Sequence, residues 1–299
     1  MGRLGYWLQE IRAPFLSLSA VLIFLGTSVA FAEGFFHLFR AILALLGLVL
    51  LHVSVNVFNE YSDYSSGIDF NTARTPFSGG SGMLTSGKIA PEAAHTLAMG
   101  CLMGGIAIGV YFLYVTNLWL LPLLAVGGFS VYFYTDFLAR YALGEIFAGL
   151  GLGFLPILGA HFVQTGHYSV DALAAAIPAG ILTFNLLLLN EFPDLEADRK
   201  GGRENVLIVF GRELGGRIYS GLLAIMYLWI VCAALIGWMP LYCLAGLLTL
   251  VVALKPMKWA WVGGRPEGET IPCLGANVMT NLATQALLGM GFVVSAYLS

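Results

Sequence analysis

Charge is scarce in this sequence, and the ligands of soft metals are not clustered. Only 10% of the 299 residues are charged, against about 25% in typical soluble domains, and the mean hydropathy is +0.84. With 14 basic and 17 acidic residues, the chain has no positive excess for binding nucleic acid. The four cysteines are scattered and form no C-x-x-C pair, which argues against a zinc site or a disulfide framework. The composition instead predicts a protein that crosses a membrane several times.

Two signatures of phosphate chemistry are also absent. The glycine-rich stretch at 78–82, Ser-Gly-Gly-Ser-Gly, lacks the Gly-Lys-Ser/Thr ending of a P-loop. The Asp-Gly-x-x-Ala-Arg signature of enzymes that transfer phosphoalcohols does not occur either. The stretch at 78–82 therefore has two open interpretations: a set of backbone N–H groups for an anion, or a flexible turn in a long loop.

Long apolar stretches are plentiful, and nine of them reach the roughly 20 residues that a helix needs to span a bilayer. They lie near 13–33, 38–58, 92–115, 118–138, 142–163, 171–190, 215–237, 239–261 and 277–298. They predict an all-α polytopic membrane protein of nine transmembrane helices, bundled around a central cavity that opens to the cytoplasmic side. We expect one domain over residues 1–299, with active-site loops near 59–91 and 191–214.

Basic residues predict the orientation. With the amino terminus in the cytoplasm, nine spans place every Lys and Arg at a cytoplasmic end except Arg40. Four spans separate the segments 59–69 and 190–198, and an even number returns the chain to the same side. Both segments are therefore expected on the cytoplasmic side, where they can share one cavity.

Those two segments contain most of the unusual chemistry of the chain. NEYSDYSSGID at 59–69 and NEFPDLEAD at 190–198 hold seven of the 17 carboxylates, at the ends of long apolar stretches. Residues three and four apart share a helix face, so the spacing predicts one polar stripe on each of two helices. The stripes consist of Asn59 and Asp63 on one helix, and Asn190, Asp194 and Asp198 on the other. The same spacing turns Glu196 away and leaves the roles of Glu60 and Glu191 open.

Oxygen ligands without His or Cys favour a hard cation such as Mg²⁺. Because Mg²⁺ is commonly held by one or two carboxylates together with substrate phosphates, the two stripes fit a metal-diphosphate better than a bare ion. Basic residues nearby suit the remaining phosphate charge. They are Arg74 and Lys88 after the first segment, Arg140 between the fourth and fifth spans, and the run Arg199-Lys200-Gly-Gly-Arg203 after the second.

The two motifs together resemble those of a known family. Asn59-x-x-x-Asp63-x-x-x-Gly67-x-Asp69, followed by Asn190-x-x-x-Asp194-x-x-x-Asp198 and Lys200, is similar to the UbiA superfamily of intramembrane prenyltransferases. The Gly-x-Asp spacing and the runs at 143–147, 162–166 and 194–200 are most like the menaquinone-pathway branch, the 1,4-dihydroxy-2-naphthoate polyprenyltransferases. The loop at 70–87 departs from the better-known members of that branch by its Pro-Phe-Ser-Gly-Gly run.

The resemblance implies a reaction and a set of roles. A polyprenyl diphosphate would ionise to an allylic carbocation, and an aromatic acceptor, 1,4-dihydroxy-2-naphthoate in this branch, would take the prenyl group and lose CO₂. Mg²⁺ would be bound by Asp63, Asp69, Asp194 and Asp198, with Asn59, Asn190 and Arg74 completing the catalytic set. Substrate contacts would come from Arg140, Lys200, Lys88, Tyr61, Tyr132 and Tyr134.

Alternatives stay open at this stage. The acceptor is not determined, and 4-hydroxybenzoate, homogentisate, geranylgeranylglyceryl phosphate and haem are further candidates. The tyrosines also fit an interfacial belt or a helix-packing role. Intramembrane Asn and Asp residues also mark ion pathways, so a cation-coupled transporter is a rival, although such sites tend to lie near the midplane of the bilayer. Membrane lipid and the two substrates are the expected partners, without an obligate protein partner.

Overall fold

All regular secondary structure is helical in the part that the computed structural model describes, which comprises residues 2–70, 72, 74–133, 138 and 141–298. No strand occurs in these residues. Eight helical stretches are long and apolar enough to cross a membrane. They are Ala13–Ala32, Leu38–Ser66, Pro91–Val115, Gly144–Thr165, Val170–Lys200, Val206–Leu235, Leu241–Trp261 and Glu267–Leu298. A shorter apolar helical stretch, Leu118–Phe133, occupies the position of the fourth predicted span. The prediction of an all-α membrane protein is confirmed.

The α-helices are numbered here in chain order. They are α1 (Arg3–Glu10), α2 (Ser17–Ala32), α3 (Leu38–Ser66), α4 (Pro91–Val115), α5 (Leu121–Phe133), α6 (Gly144–Gly149), α7 (Leu155–Thr165), α8 (Val170–Lys200), α9 (Val206–Leu235), α10 (Leu250–Trp261) and α11 (Thr270–Leu298). Segments of 3₁₀ helix precede α2, α5, α10 and α11, and the one before α10, Leu241–Thr249, is nine residues long. The helix α1 precedes the first span, and the sequence patterns did not predict it.

Helix α8 occupies the centre of the bundle. It packs against α2, α6, α7, α9 and α11. Its first half is rich in alanine, and Ala172, Ala174, Ala175, Ala176 and Ala179 are all buried. Small side chains let helix backbones approach closely in a membrane, where packing takes the place of the hydrophobic effect between helices. The amino-terminal half of α8 is therefore a close-packed core, while its carboxyl-terminal half carries the polar stripe.

The fifth predicted span is interrupted in its middle. Between α6 and α7, residues Leu150–Phe154 form a π-helical segment with a non-helical backbone at Leu152 (φ −115°, ψ 30°). The hydroxyl of Thr183 on α8 donates a hydrogen bond of 2.8 Å to the Leu152 carbonyl, which satisfies a group that the interruption leaves unpaired. A Cβ on Gly153 would lie 2.5 Å from the Ala179 carbonyl oxygen. The interruption thus brings this span against the close-packed half of α8.

A second close approach joins α9 and α10, and it gives a test of the packing. A Cβ on Gly216 would overlap the carbonyl oxygen of Ala260, whereas a Cβ on Gly221 of the same helix would have no neighbour within 4 Å. We expect Gly216→Ala to lower the free energy of unfolding by about 1–3 kcal/mol, because overpacking forces backbone shifts. Thermal unfolding in detergent measures the effect, with Gly221→Ala as the control. An equal unfolding temperature for the two variants would contradict the close contact.

Candidate active site

The first acidic segment occupies the end of α3 and the turn that follows. Asn59, Glu60 and Asp63 lie on the last two turns of the helix, as the spacing predicted. The helix ends at Gly67, whose φ of 82° lies in the left-handed region that glycine adopts without strain. The next turn is a 3₁₀ turn that carries Asp69. Asp63 and Asp69 are both buried, so two carboxylates of this segment are withdrawn from water.

The second segment lies on the last turns of α8, and the chain reverses directly after it. The helix ends at Lys200, and Gly202 adopts a φ of 73°. The Arg203 N–H then donates a hydrogen bond of 3.0 Å back to the Asp198 carbonyl. Gly201 lies so close to Ile68, in the turn after α3, that a Cβ on it would overlap the Ile68 side chain. The two glycines therefore permit both the reversal and the close approach of the two segments.

Arg203 joins the two segments directly. Its guanidinium forms an ion pair with Asp63 of α3 and another, at 3.5 Å, with Asp198 of α8. The Asn205 side chain also donates to Asp198, at 3.2 Å. Because one arginine reaches a carboxylate from each helix, the two acidic segments lie together at one end of the bundle. The expectation that they share one side of the protein agrees with this geometry.

The glycine-rich loop at 78–82 connects the same two segments from another direction. Asp194 accepts hydrogen bonds from the Ser78 hydroxyl and the Gly79 N–H. The Ser81 N–H donates to both carboxylate oxygens of Glu60, at 2.8 and 2.9 Å. The backbone N–H groups of Gly79 and Ser81 thus bind the protein's own carboxylates. Neither a free anion cradle nor a loose turn describes this loop, which ties α3 to α8.

An arginine before the first span completes this network. Arg12 pairs with Glu60 at 2.6 Å, and Glu60 is only 1% exposed. Glu10, at the end of α1, accepts a hydrogen bond of 2.9 Å from the Ser81 hydroxyl. Burial, followed by the nearby charge of Glu60, raises the pKa of Glu10 to about 7. The amino-terminal helix therefore contacts the acidic site.

The site contains more buried carboxylates than the positive charges around them can neutralise. Burial, followed by the nearby charges of Glu60 and Asp63, raises the pKa of Asp69 to about 7. Asn190 and Asp194 each have a buried Oδ1 atom without a hydrogen-bond partner. Buried oxygens of this kind are costly unless a donor or a cation satisfies them. The donor set is all oxygen and fits Mg²⁺.

The side chains that the structure describes do not complete a metal site by themselves. Among the described residues, no three His, Cys, Asp or Glu side chains converge closely enough to hold a bare metal ion. A cation here would need oxygens from a second source. The phosphates of a substrate are the usual second source of oxygen ligands for Mg²⁺.

A cavity of about 310 Å³ opens beside the acidic site. Its polar wall includes Asn59, Asn190, Asp198 and Arg203, together with Arg12. Its remaining wall is mostly apolar and contains three phenylalanines, Phe15, Phe77 and Phe147. Asp63, Asp69 and Asp194 are not lining residues, and Asp63 is joined to the polar wall by its ion pair with Arg203. The cavity thus offers a charged end and an apolar body to one ligand.

The other predicted site residues are more dispersed. Lys88 and Lys200 are exposed, and the Lys88 ammonium lies over the Tyr6 ring. Arg74 is also exposed; its guanidinium lies against Gly82 and donates to Thr85. Tyr61 packs against His95, and Tyr132 is 53% exposed, with neither among the lining residues. Tyr134 and Arg140 lie outside the described residues.

Two arginines lie closer to the acidic residues than the sequence patterns predict. Arg12 is a basic residue just before the first span, and its left-handed backbone conformation (φ 52°) places it in the site. Arg203 stood in the basic run after the second segment, where Lys200 was singled out. The sequence signal for Arg203 was the Gly201-Gly202 pair before it, which allows the chain to turn back.

The fold and the site together define a class of protein. This is a polytopic helical membrane protein that gathers carboxylates from two spans at one end of an apolar cavity. The sequence model of the UbiA prenyltransferase family matches residues 19–271. The chain therefore belongs to the UbiA prenyltransferase family.

Relatives match the chain over almost its whole length. It is 26% identical to the 1,4-dihydroxy-2-naphthoate octaprenyltransferase of Bacillus subtilis, over 98% of this chain and 94% of that protein. It is 28% identical to the protein of the same name from Escherichia coli, over 99% of this chain and 98% of that protein. These relatives agree with the menaquinone-pathway branch that the motifs resembled.

Solved structures share the fold. A UbiA homologue from Archaeoglobus fulgidus bound to GPP and Mg²⁺ superposes with a TM-score of 0.67 at 17% identity, covering 97% of this chain and 99% of that chain. The apo structure of a UbiA homologue from Aeropyrum pernix gives a TM-score of 0.71 at 18% identity, covering 94% and 98%. At these identities the likeness is one of fold.

Proposed function

We propose that the protein transfers a polyprenyl group from a polyprenyl diphosphate to 1,4-dihydroxy-2-naphthoate in a Mg²⁺-dependent reaction. The observation that carries the proposal is the meeting of the two carboxylate segments at the charged end of an apolar cavity. The Bacillus subtilis and Escherichia coli relatives are named for this acceptor. A homologue with the same fold was solved with GPP and Mg²⁺.

Asp63, Asp69, Asp194 and Asp198 would hold the metal, with Asn59 and Asn190 adding amide oxygens at the edge of the cavity. The chemistry that Mg²⁺ supplies when bound is neutralisation of the diphosphate, which makes it a better leaving group. The unpartnered Oδ1 atoms of Asn190 and Asp194 support this assignment. Both lie on α8, one turn apart.

The basic residues of the site would bind the leaving diphosphate. Arg203 is the best placed of them, since it lines the cavity and already occupies the space between Asp63 and Asp198. A bound diphosphate would give this guanidinium a bidentate partner of greater charge. Arg12 lines the same wall. Further proposed contacts of the donor diphosphate are Arg74, Lys88, Arg140 and Lys200.

The apolar body of the cavity suits the reacting carbon chain. Breaking the C–O bond of the donor leaves an allylic carbocation, whose charge is stabilised by the faces of aromatic rings. Phe15, Phe77 and Phe147 line the cavity and are candidates for this contact, alongside Tyr61, Tyr132 and Tyr134 from the sequence. The apolar wall would keep water from the cation. The acceptor ring then attacks, and its carboxylate leaves as CO₂.

We also propose a topology of nine spans in one domain. The ninth span would contain Leu118–Phe133, which is apolar but shorter than the other eight. With nine spans, the asymmetry of Lys and Arg puts the amino terminus and the active site on the cytoplasmic side. The loops at 59–91 and 191–214 would then face the cytoplasm.

A reconstitution assay tests the reaction. Purified protein in lipid nanodiscs is incubated with Mg²⁺, a radiolabelled polyprenyl diphosphate and one acceptor at a time. We expect diphosphate release and a prenylated, decarboxylated product with 1,4-dihydroxy-2-naphthoate, and neither when EDTA removes the metal. Parallel reactions with 4-hydroxybenzoate, homogentisate and geranylgeranylglyceryl phosphate test the acceptor. Product from one of these alone would reassign it, and no diphosphate release with any acceptor would contradict prenyl transfer.

A further inference from the structure

Two glutamates that the metal chemistry does not use face each other beside the cavity. Glu145, at the start of α6, is 1% exposed, and Glu191 of α8 is 9% exposed. Their carboxyl groups lie within hydrogen-bonding range of each other, and both residues line the cavity. As two carboxylates they would repel, and the Oε2 atom of each is buried without a donor. A shared proton or a hydrogen-bond donor from a ligand must satisfy these oxygens.

The glutamate pair is fixed next to the proposed diphosphate site. The Val206 N–H donates a hydrogen bond of 2.6 Å to Glu145 Oε1. The preceding residue, Asn205, donates through its side chain to Asp198 at 3.2 Å. The adjacent residues Asn205 and Val206 thus bind Asp198 and Glu145, respectively. The glutamate pair therefore lies close to a carboxylate of the proposed metal site. A small ligand bound at the pair would stand beside the reactive end of the donor.

We propose that Glu145 and Glu191 form the hydroxyl-binding site for the acceptor, and this proposal rests on the proposed function. A phenolic hydroxyl of the acceptor donates its hydrogen bond to the glutamate pair. A hydrogen bond to a negatively charged acceptor is stronger than a neutral one. It also draws the hydroxyl proton away from the ring oxygen, which makes the ring richer in electrons for attack on the carbocation. Glu145 and Glu191 are thus specificity-determining residues for a hydroxyl-bearing aromatic ring.

Initial rates with two acceptors test the site. The acceptors are 1,4-dihydroxy-2-naphthoate and the same ring with both hydroxyls methylated, and the proteins are wild type, Glu145→Gln and Glu191→Gln. The contribution of a hydrogen bond to a charged group predicts that its loss weakens binding of the acceptor about tenfold or more. We expect each variant to raise KM for the dihydroxy acceptor by about that factor, and to leave KM for the polyprenyl diphosphate within about twofold of wild type. The preference for the dihydroxy over the methylated ring should fall by a similar factor.

The control is Glu196→Gln, because Glu196 is exposed on the far side of α8 and touches no part of the cavity. Binding of the dihydroxy acceptor, measured by the shift in unfolding temperature, gives a readout without turnover. The proposal is overturned if both glutamine variants keep the hydroxyl preference, or if they raise KM for donor and acceptor equally. Those outcomes differ from failure of the proposed function, in which wild type itself releases no diphosphate.

Discussion

Replacing Asp63 or Asp194 by asparagine is expected to lower the rate of prenyl transfer by on the order of 10³-fold, which is the upper range for loss of one preorganised electrostatic contact. Asp63 belongs to α3 and Asp194 to α8, so each change removes a carboxylate from only one side of the proposed metal site. Asparagine has nearly the same size and keeps one oxygen, but it cannot supply the negative charge that holds Mg²⁺. Diphosphate release from the labelled donor measures the effect.

The outcome separates a catalytic role from a structural one. Both carboxylates carry a desolvation cost in the free protein, and Arg203 keeps its ion pair with Asp198 when Asp63 loses its charge. Removing either charge should therefore not lower the unfolding temperature much. Glu196→Gln, an exposed change on the same helix as Asp194, should keep wild-type activity. Full activity in either asparagine variant would contradict the metal assignment, and unfolding of both variants would show that these residues only stabilise the helix ends.

The largest effect on stability is expected from Arg12→Gln, at about 3–5 kcal/mol of unfolding free energy, because it leaves the buried Glu60 carboxylate without its counter-ion. Glu60 is 1% exposed and holds the glycine-rich loop through the Ser81 N–H. The double variant Arg12→Gln/Glu60→Gln should recover part of the loss, since it removes the unpaired charge. Thermal and denaturant unfolding in detergent measure both.

The matched control for this change is Lys255→Gln. Lys255 and Glu269 form an ion pair of 2.8 Å, close to the length of the Arg12–Glu60 pair, but both side chains are about half exposed. Exposed pairs contribute about 0–1 kcal/mol, so this variant should unfold almost as wild type does. A double Arg12/Glu60 variant no more stable than Arg12→Gln alone would show that the loss comes from packing of the arginine and not from the stranded carboxylate.

The spans and the pairing of the acidic segments were predictable because they depend on simple periodicities. Apolar length predicts helices such as Leu38–Ser66, and the four-residue spacing puts Asn59 and Asp63 on one face. The even number of predicted spans between the two segments gives the expectation that both lie on the same side. These predictions depend only on the positions of the apolar residues and on the spacing of the polar ones.

The interior of the site was less predictable because backbone reversals determine it. Arg203 reaches Asp63 only because the chain turns back at Gly202, and Arg12 reaches Glu60 only through a left-handed residue. The N–H groups of the loop at 78–82 donate hydrogen bonds to Glu60 and Asp194, which lie in segments far apart in sequence. No periodicity encodes such contacts, so the motif pattern favours Lys200, whereas in the fold it is Arg203 that pairs with the acidic residues.

The most direct test of the central claim, that the two acidic segments jointly bind a metal-diphosphate, is calorimetric titration of inorganic diphosphate into the detergent-purified protein with and without Mg²⁺. We expect binding to wild type only when Mg²⁺ is present, and its loss in both Asp63→Asn and Asp194→Asn. Binding that persists without Mg²⁺, or in both of these variants, would contradict it.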